Sequence, residues 1–197
     1  MKGRNIITIL LLLAVLISNG CLFDPRDPDP PGTGEEDCWV IPHSERDVFE
    51  NLECGLGATG NSSYERILHP SFTFVPRLED EMELGSEVFE GWDKDVELEV
   101  ITRLKGEYQG ERKVQFGDEN GVFDRESIEV GRAEFEGPYM FVLDRSDGSP
   151  PDTLSGKAIF YVEKLTQGWV LKTWEDIDVN GNYSTSGYLR GSLRGSS

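Results

Sequence analysis

Residues 152–173 read DTLSGKAIFYVEKLTQGWVLKT. Leu154, Ala158, Phe160 and Val162 recur at even spacing, and after Gln167-Gly168 the alternation resumes with Trp169, Leu171 and Thr173. A period of two puts such residues on one face of an extended strand, and a link this short joins antiparallel neighbours, so the stretch reads as two strands of a meander. Upstream, Val114 and Phe116, then Ile128 and Val130, then Phe135, Tyr139, Phe141 and Leu143 repeat the period. Turn signals at Asp118 to Gly121, Gly137-Pro138 and Asp147 to Pro151 separate the runs. One face of this sheet collects nearly all the Phe, Tyr and Trp, so helices must cover it or the sheet must curve strongly around it.

The helices lie N-terminal to the strands. Ser44 with Asp47 at the third position caps a helix over Glu45 to Leu56, whose apolar stripe is Val48, Phe49, Leu52 and Leu56 and which the Gly55/Gly57 pair ends. A second short helix opens at Ser62 with Glu65 as capping partner, turns Tyr64, Ile67 and Leu68 inward, and stops at Pro70. Phe72, Thr73, Phe74 and Val75 form a short strand, and Glu79, Asp80, Glu81 and Glu83 a solvated acidic loop. Asp93 then caps a third helix carrying Trp92, Val96, Val100 and Leu104. The fold class is α+β: N-terminal helices packed on a strongly curved, mostly antiparallel sheet.

The ends of the chain say where it works. Lys2 and Arg4 precede an apolar run from Ile6 to Ile17, too short for a stable membrane span, followed by Ser18, Asn19, Gly20 and Cys21. This resembles a bacterial lipobox, with Ser18 where that motif usually carries Leu. The resemblance implies that residues 1–20 are a lipoprotein signal peptide, that Cys21 carries lipid such as palmitate, and that the protein sits in the bacterial cell envelope, anchored to the outer membrane and facing the periplasm or the surface. Residues 21–43 hold five of the ten prolines among many acids and read as an acidic, extended tether. The folded domain is expected over residues 44–191, with 192–197 as a flexible tail. The 197 residues carry 37 acidic and 19 basic side chains, a net charge of −18 that becomes −20 once Lys2 and Arg4 are removed. Nucleic-acid binding through phosphates is excluded by that balance, and the expected partners are a membrane through the lipid, a small apolar ligand, or a second copy through the sheet.

With Cys21 lipidated, Cys38 and Cys54 remain in an oxidising compartment. Cys54 falls roughly opposite the apolar stripe of the first helix, within reach of a chain crossing that helix from Cys38, so the two are expected to form a disulfide.

The order of helices, Phe72-Thr73-Phe74, a helix opening at Trp92, and the closing Trp169-Val170-Leu171-Lys172-Thr173-Trp174-Glu175-Asp176 resembles the nuclear transport factor 2-like fold, an α+β cone. Asn51-Leu52-Glu53, the run from Ile67 to Phe74, and Gly187-Tyr188-Leu189-Arg190-Gly191 are similar to phrases of uncharacterised bacterial lipoproteins with that domain. The resemblance covers about Ser44 to Gly191 and implies an aromatic cone, with Tyr64, Phe74, Tyr139, Phe160 and Trp174 as candidate pocket residues. Enzymes on that fold, such as ketosteroid isomerases and polyketide cyclases, use Asp, Tyr or His inside the cone.

Catalytic chemistry is sparse. His43 and His69, the two histidines, both sit beside proline at element boundaries, with no adjacent nucleophile or acid. Asp176 and Glu175 are the carboxylates nearest the expected cone and carry the alternative reading, an isomerase- or cyclase-like enzyme. Asp176, Asp178 and Asn180 open a D-x-D-x-N-G run like half a calcium loop, but Gly187 stands where the bidentate Glu belongs and Asn180-Gly181 reads as a hairpin turn, so no metal and no cofactor are expected. The expected function is a lipid-anchored, non-catalytic binding or envelope-associated module.

Overall fold

The computed structural model describes residues 38–57, 62–177 and 184–195. The signal segment, Cys21, most of the tether, Asp178 and Asn180 lie outside them. Among the described residues no helix is long and apolar enough to cross a membrane.

Helix α1 spans Asp47–Gly57 and buries the expected stripe of Val48, Phe49, Leu52 and Leu56. Its cap is reciprocal: the Ser44 hydroxyl donates to Asp47 Oδ1 at 2.7 Å, and the Asp47 N–H donates back to Ser44 Oγ. Helix α2, Ser62–Ile67, crosses α1 so closely that a Cβ on Gly55 would lie 2.7 Å from the Tyr64 nitrogen. The Cys38–Cys54 disulfide forms, with Cα atoms 5.7 Å apart. It is one of several ties that bring residues 38–42 into the domain rather than the tether: Asn51 exchanges two hydrogen bonds with the Val40 backbone, and the Trp169 N–H donates to the Pro42 carbonyl.

Strand β1, Leu68–Val75, begins directly after α2, so Pro70 lies inside a strand instead of stopping a helix. The acidic segment folds as helix α3, Leu78–Leu84, with Asp80 buried; the expectation of a solvated loop fails because Asp80 has a cation, Arg77, three residues before it and turned inward with it. A 3₁₀ turn at Ser86–Val88 leads to α4, Lys94–Glu107, whose Asp93 cap accepts from the Asp95 and Val96 N–H groups.

Five further strands follow: β2 (Arg112–Phe116), β3 (Arg125–Glu129), β4 (Arg132–Leu143), β5 (Asp152–Leu165) and β6 (Gly168–Ile177). The sheet runs β1-β6-β5-β4-β2, and β3 shares the β4 edge with β2. β4, β5 and β6 form the expected antiparallel meander, while β1 closes the far side parallel to β6. Gly137-Pro138 is not a turn. Both residues pair within β4, opposite Ala158 and Lys157, and mark the place where β4 changes neighbour from β3 to β2. The turn sits instead at Val130-Gly131, where Gly131 takes a φ of 77°. In β6, a register shift opposite Tyr161 and Val162 lets Leu171 and Trp174 share the inner face although they are three residues apart.

The last described element is helix α5, Ser186–Gly195, which takes in residues 192–195 of the expected flexible tail. Leu189, Arg190 and Leu193 turn inward, and Gly191 lies so close to α3 and the 3₁₀ turn that a Cβ there would meet Phe89 and Leu84 at about 2.5–2.6 Å. Contact at that range overrides the poor helix propensity of a segment with Gly at three of its ten positions.

Candidate functional site

The inner face of the sheet has two differently furnished halves. Under α1, Phe49 meets Phe116, Phe123, Phe135 and Phe160 with ring centroids 4.5–5.7 Å apart. These rings fill the space between helix and sheet, and edge-to-face geometry adds to the burial of their area.

The half under α5 is polar, and three buried carboxylates organise it. Asp176 lies on β6, 3% exposed. Its carboxylate accepts from Trp174 Nε1 at 2.7 Å, the Tyr139 hydroxyl at 3.0 Å, the Ser186 hydroxyl at 2.9 Å and the Gly187 N–H at 2.9 Å. Two of those donors belong to α5. Burial pushes the Asp176 carboxyl above the usual carboxylate range, against the pull of the Arg190 charge and the donors around it. The Tyr139 hydroxyl is driven well above its ordinary value, first by burial and then by Asp176.

Glu97, on α4, is fully buried. Arg190 of α5 reaches both of its oxygens at 3.0–3.2 Å, while the Tyr64 hydroxyl at 2.6 Å and Trp92 Nε1 at 2.8 Å donate to the same carboxylate. The Arg190 guanidinium also lies 4.2 Å from the Trp174 ring centroid and 4.8 Å from that of Phe74. Asp80 completes the set, taking Arg77 at 2.7 Å and the Thr185 hydroxyl at 2.8 Å. Gly187 passes between two of these carboxylates, where a Cβ would come within 2.6 Å of Asp80 Oδ2 and 3.1 Å of Asp176 Oδ2.

The five candidate pocket residues, Tyr64, Phe74, Tyr139, Phe160 and Trp174, are all brought into this core at 4% exposure or less. Trp174 contacts Tyr139 and Phe160, so these three rings pack on one another. Glu175 alternates away from Asp176 onto the outer face of β6, and the structure does not bring the two carboxylates together. Of the three candidate calcium ligands, Asp176, Asp178 and Asn180, only Asp176 is described, with its oxygens taken by four donors; among the described residues no three metal-ligating side chains gather. His69 lies at the start of β1, where its Nδ1 accepts from the Ser71 N–H.

Sequence reasoning missed Glu97, Arg190, Arg77 and Asp80. A signal for Glu97 existed: it stands three, four and seven residues before Val100, Ile101 and Leu104, so it belongs to the buried stripe of α4, whereas Val96 is only half-buried. A groove of about 520 Å³ lies outside the core, where Tyr108, Arg145 and Asp152 face Tyr188 and Ser192 of α5. Arg145 and the Tyr108 hydroxyl both converge on Asp152 at 2.7 Å, and the same Arg145 pairs with Glu107, so the cation of this groove is shared between its two carboxylates.

No family model and no curated protein matches the sequence. Solved structures do match. A candidate aromatic ring hydroxylase from Novosphingobium aromaticivorans superposes with a TM-score of 0.56 at 12% identity, over 74% of this chain and 96% of that one. A conserved protein from Planctomyces limnophilus superposes at 0.51 and 13% identity, over 68% and 92%. A nuclear transport factor 2-like superfamily protein from Salmonella enterica gives 0.49 at 11% identity, over 70% and 94%. Identities this low speak to the fold alone. With helices packed on one face of a curved, mixed sheet, the domain shares the α+β fold of the Novosphingobium and Planctomyces structures.

Proposed function

We propose that this chain is a lipid-anchored protein of the bacterial cell envelope, acylated at Cys21 after removal of residues 1–20, whose cone serves as a non-catalytic binding or scaffolding module acting through its outer surface. The anchor rests on the charged start, the apolar run and the Gly20-Cys21 junction of the sequence. The absence of turnover rests on one structural observation. Asp176, the carboxylate best placed for acid–base work inside the cone, spends its lone pairs on Tyr139, Trp174, Ser186 and Gly187, so the protein's own α5 stands where a substrate would have to reach it.

Two experiments test the two halves of this reading. Growth with a clickable fatty acid should label the wild-type chain, and Cys21→Ser should abolish the label and release the protein from the membrane; an unlabelled wild type ends the anchor reading. Native mass spectrometry of protein extracted from its own membrane should give the mass of the acylated chain without a small molecule in the cone. A retained apolar ligand displaced by Trp174→Ala, or a turnover lost in Asp176→Asn at unchanged folding, would favour the isomerase- or cyclase-like alternative.

A further inference from the structure

Residues 38–42 form a strap held to the domain by the Cys38–Cys54 disulfide, the Asn51–Val40 pair and the Trp169 N–H on the Pro42 carbonyl. Held so firmly, it still turns apolar side chains outward: Ile41 is 61% exposed and Val40 38%. Beside it opens a groove of about 510 Å³, lined by Trp39, Ile41 and Pro70, by the cations Arg66 and Lys94, and by one acid, Glu65. In a chain with 37 acids to 19 bases, this groove reverses the balance of charge.

The two cations are positioned but not spent. The Arg66 guanidinium lies over the Trp39 ring, 4.1 Å from its centroid, and among the described residues none forms a hydrogen bond or ion pair with it. Its N–H donors stay available, unlike those of Arg145, which two carboxylates share. Lys94 Nζ donates to the Glu65 carbonyl at 2.8 Å and the Leu68 carbonyl at 3.3 Å, which fixes the ammonium and leaves one of its three protons. The Lys164 N–H donates to the Gly131 carbonyl and so sets the β3–β4 turn beside the hairpin that carries Trp169. The fully exposed Val130 therefore lies at the same end of the sheet as the strap.

We propose that this end of the domain docks on a phospholipid surface, with Arg66 and Lys94 taking a headgroup phosphate and Trp39 and Ile41 entering the headgroup layer. Tryptophan, arginine and an exposed aliphatic side chain together match a layer that is anionic on its outside and apolar beneath. Position selects the same occupant. Sixteen residues separate Cys21 from Cys38, a reach of at most about 60 Å, and the strap is where that chain enters the domain. A link this short holds the surface at an effective concentration in the millimolar range, where a phosphate contact and one or two inserted side chains are enough for docking. The setting, though not the chemistry of the groove, rests on the lipid-anchor reading.

The test is tryptophan quenching by a headgroup-attached nitroxide in vesicles of phosphatidylethanolamine and phosphatidylglycerol. The chain from Cys21 onward, made without acylation, is coupled through the Cys21 thiol to a maleimide lipid, so docking is read even if the natural protein carries no lipid. Trp92, Trp169 and Trp174 are 6% exposed or less, so the quenched signal should be that of Trp39 and should vanish in Trp39→Phe. Arg66→Gln should lower the docked-to-undocked ratio about fivefold, the loss of one cation at an anionic surface, and Ile41→Asp should lower it further. Lys113→Gln removes an exposed cation of β2 at the opposite end of the strands and should leave the ratio unchanged. Docking is overturned if Trp39 is quenched equally in wild type and Arg66→Gln, or if Lys113→Gln weakens quenching as much as Arg66→Gln does. It is also overturned by an unquenched Trp39 whose emission responds to millimolar inorganic phosphate without vesicles, since the groove would then serve a soluble anion. An unacylated natural protein would end the anchor reading, while quenching of the coupled chain would still support the groove.

Discussion

The half of the cone under α1 and the half under α5 enclose their interiors equally well with opposite chemistry. Phe49, Phe116, Phe123, Phe135 and Phe160 need only area and shape, and each makes many small, interchangeable contacts. Asp176, Glu97 and Asp80 need specific donors, and α5 supplies at least one to each or lies directly against it. The apolar half should therefore tolerate changes of shape. The polar half should not tolerate even near-isosteric changes of chemistry, since a buried group that loses its partner keeps its full desolvation cost.

The largest break in this comparison is expected from Arg190→Ala. Glu97 would remain buried without its cation, at a cost of about 3–5 kcal/mol in urea unfolding. Combining Arg190→Met with Glu97→Gln should recover much of it, because a neutral amide can still accept from Trp92 and give a proton to the Tyr64 oxygen. Asp176→Asn comes next. Each carboxylate oxygen faces an N–H, Trp174 on Oδ1 and Gly187 on Oδ2, so the amide NH₂ meets a donor in either orientation, and a loss of about 2–3 kcal/mol should follow. Phe160→Leu in the other half should cost less than about 1.5 kcal/mol, and a loss above that of Asp176→Asn would refute the contrast.

A smaller effect sharpens it through pH. The folded-state pKa of Asp176 is raised above 3.8, so the native state holds its proton where the unfolded chain has released it. Stability contributed by this group is therefore greatest at acid pH and declines as pH rises from the ordinary carboxylate range through the raised value. The gap between wild type and Asp176→Asn should narrow over that window when unfolding is compared at successive pH values; a gap that widens with pH contradicts the burial of this carboxylate.

Which parts were legible in the sequence follows the range of the forces that shape them. The strand period around Phe160, the reciprocal Ser44/Asp47 cap and the Asp93 cap all depend on residues within one or two turns of each other, and the structure has them where the spacing puts them, whereas in β6 the register shift turns Trp174 inward and leaves the expected Thr173 on the other face. Gly137-Pro138 misled because the dipeptide that makes a turn in isolation also fits a long strand at the point where its neighbour changes. α5 was illegible for a different reason. Gly187, Gly191 and Gly195 argue against a helix until the carboxylates and rings that press against the first two are known. Glu97 was visible as an in-phase position, but its partner Arg190 lies 93 residues away and no local pattern joins them.

The sequence by itself determined most of the strands, the inner faces of β4 and β5, the openings of α1, α2 and α4 and the pairing of Cys38 with Cys54. The tertiary structure decided that β1 lies parallel to β6, that the candidate pocket residues pack on one another, and that α5 supplies two of the four donors to Asp176. Periodicity and caps are set by neighbours along the chain. The partner of a buried charge is set by which elements cross in space, and only the folded chain specifies that.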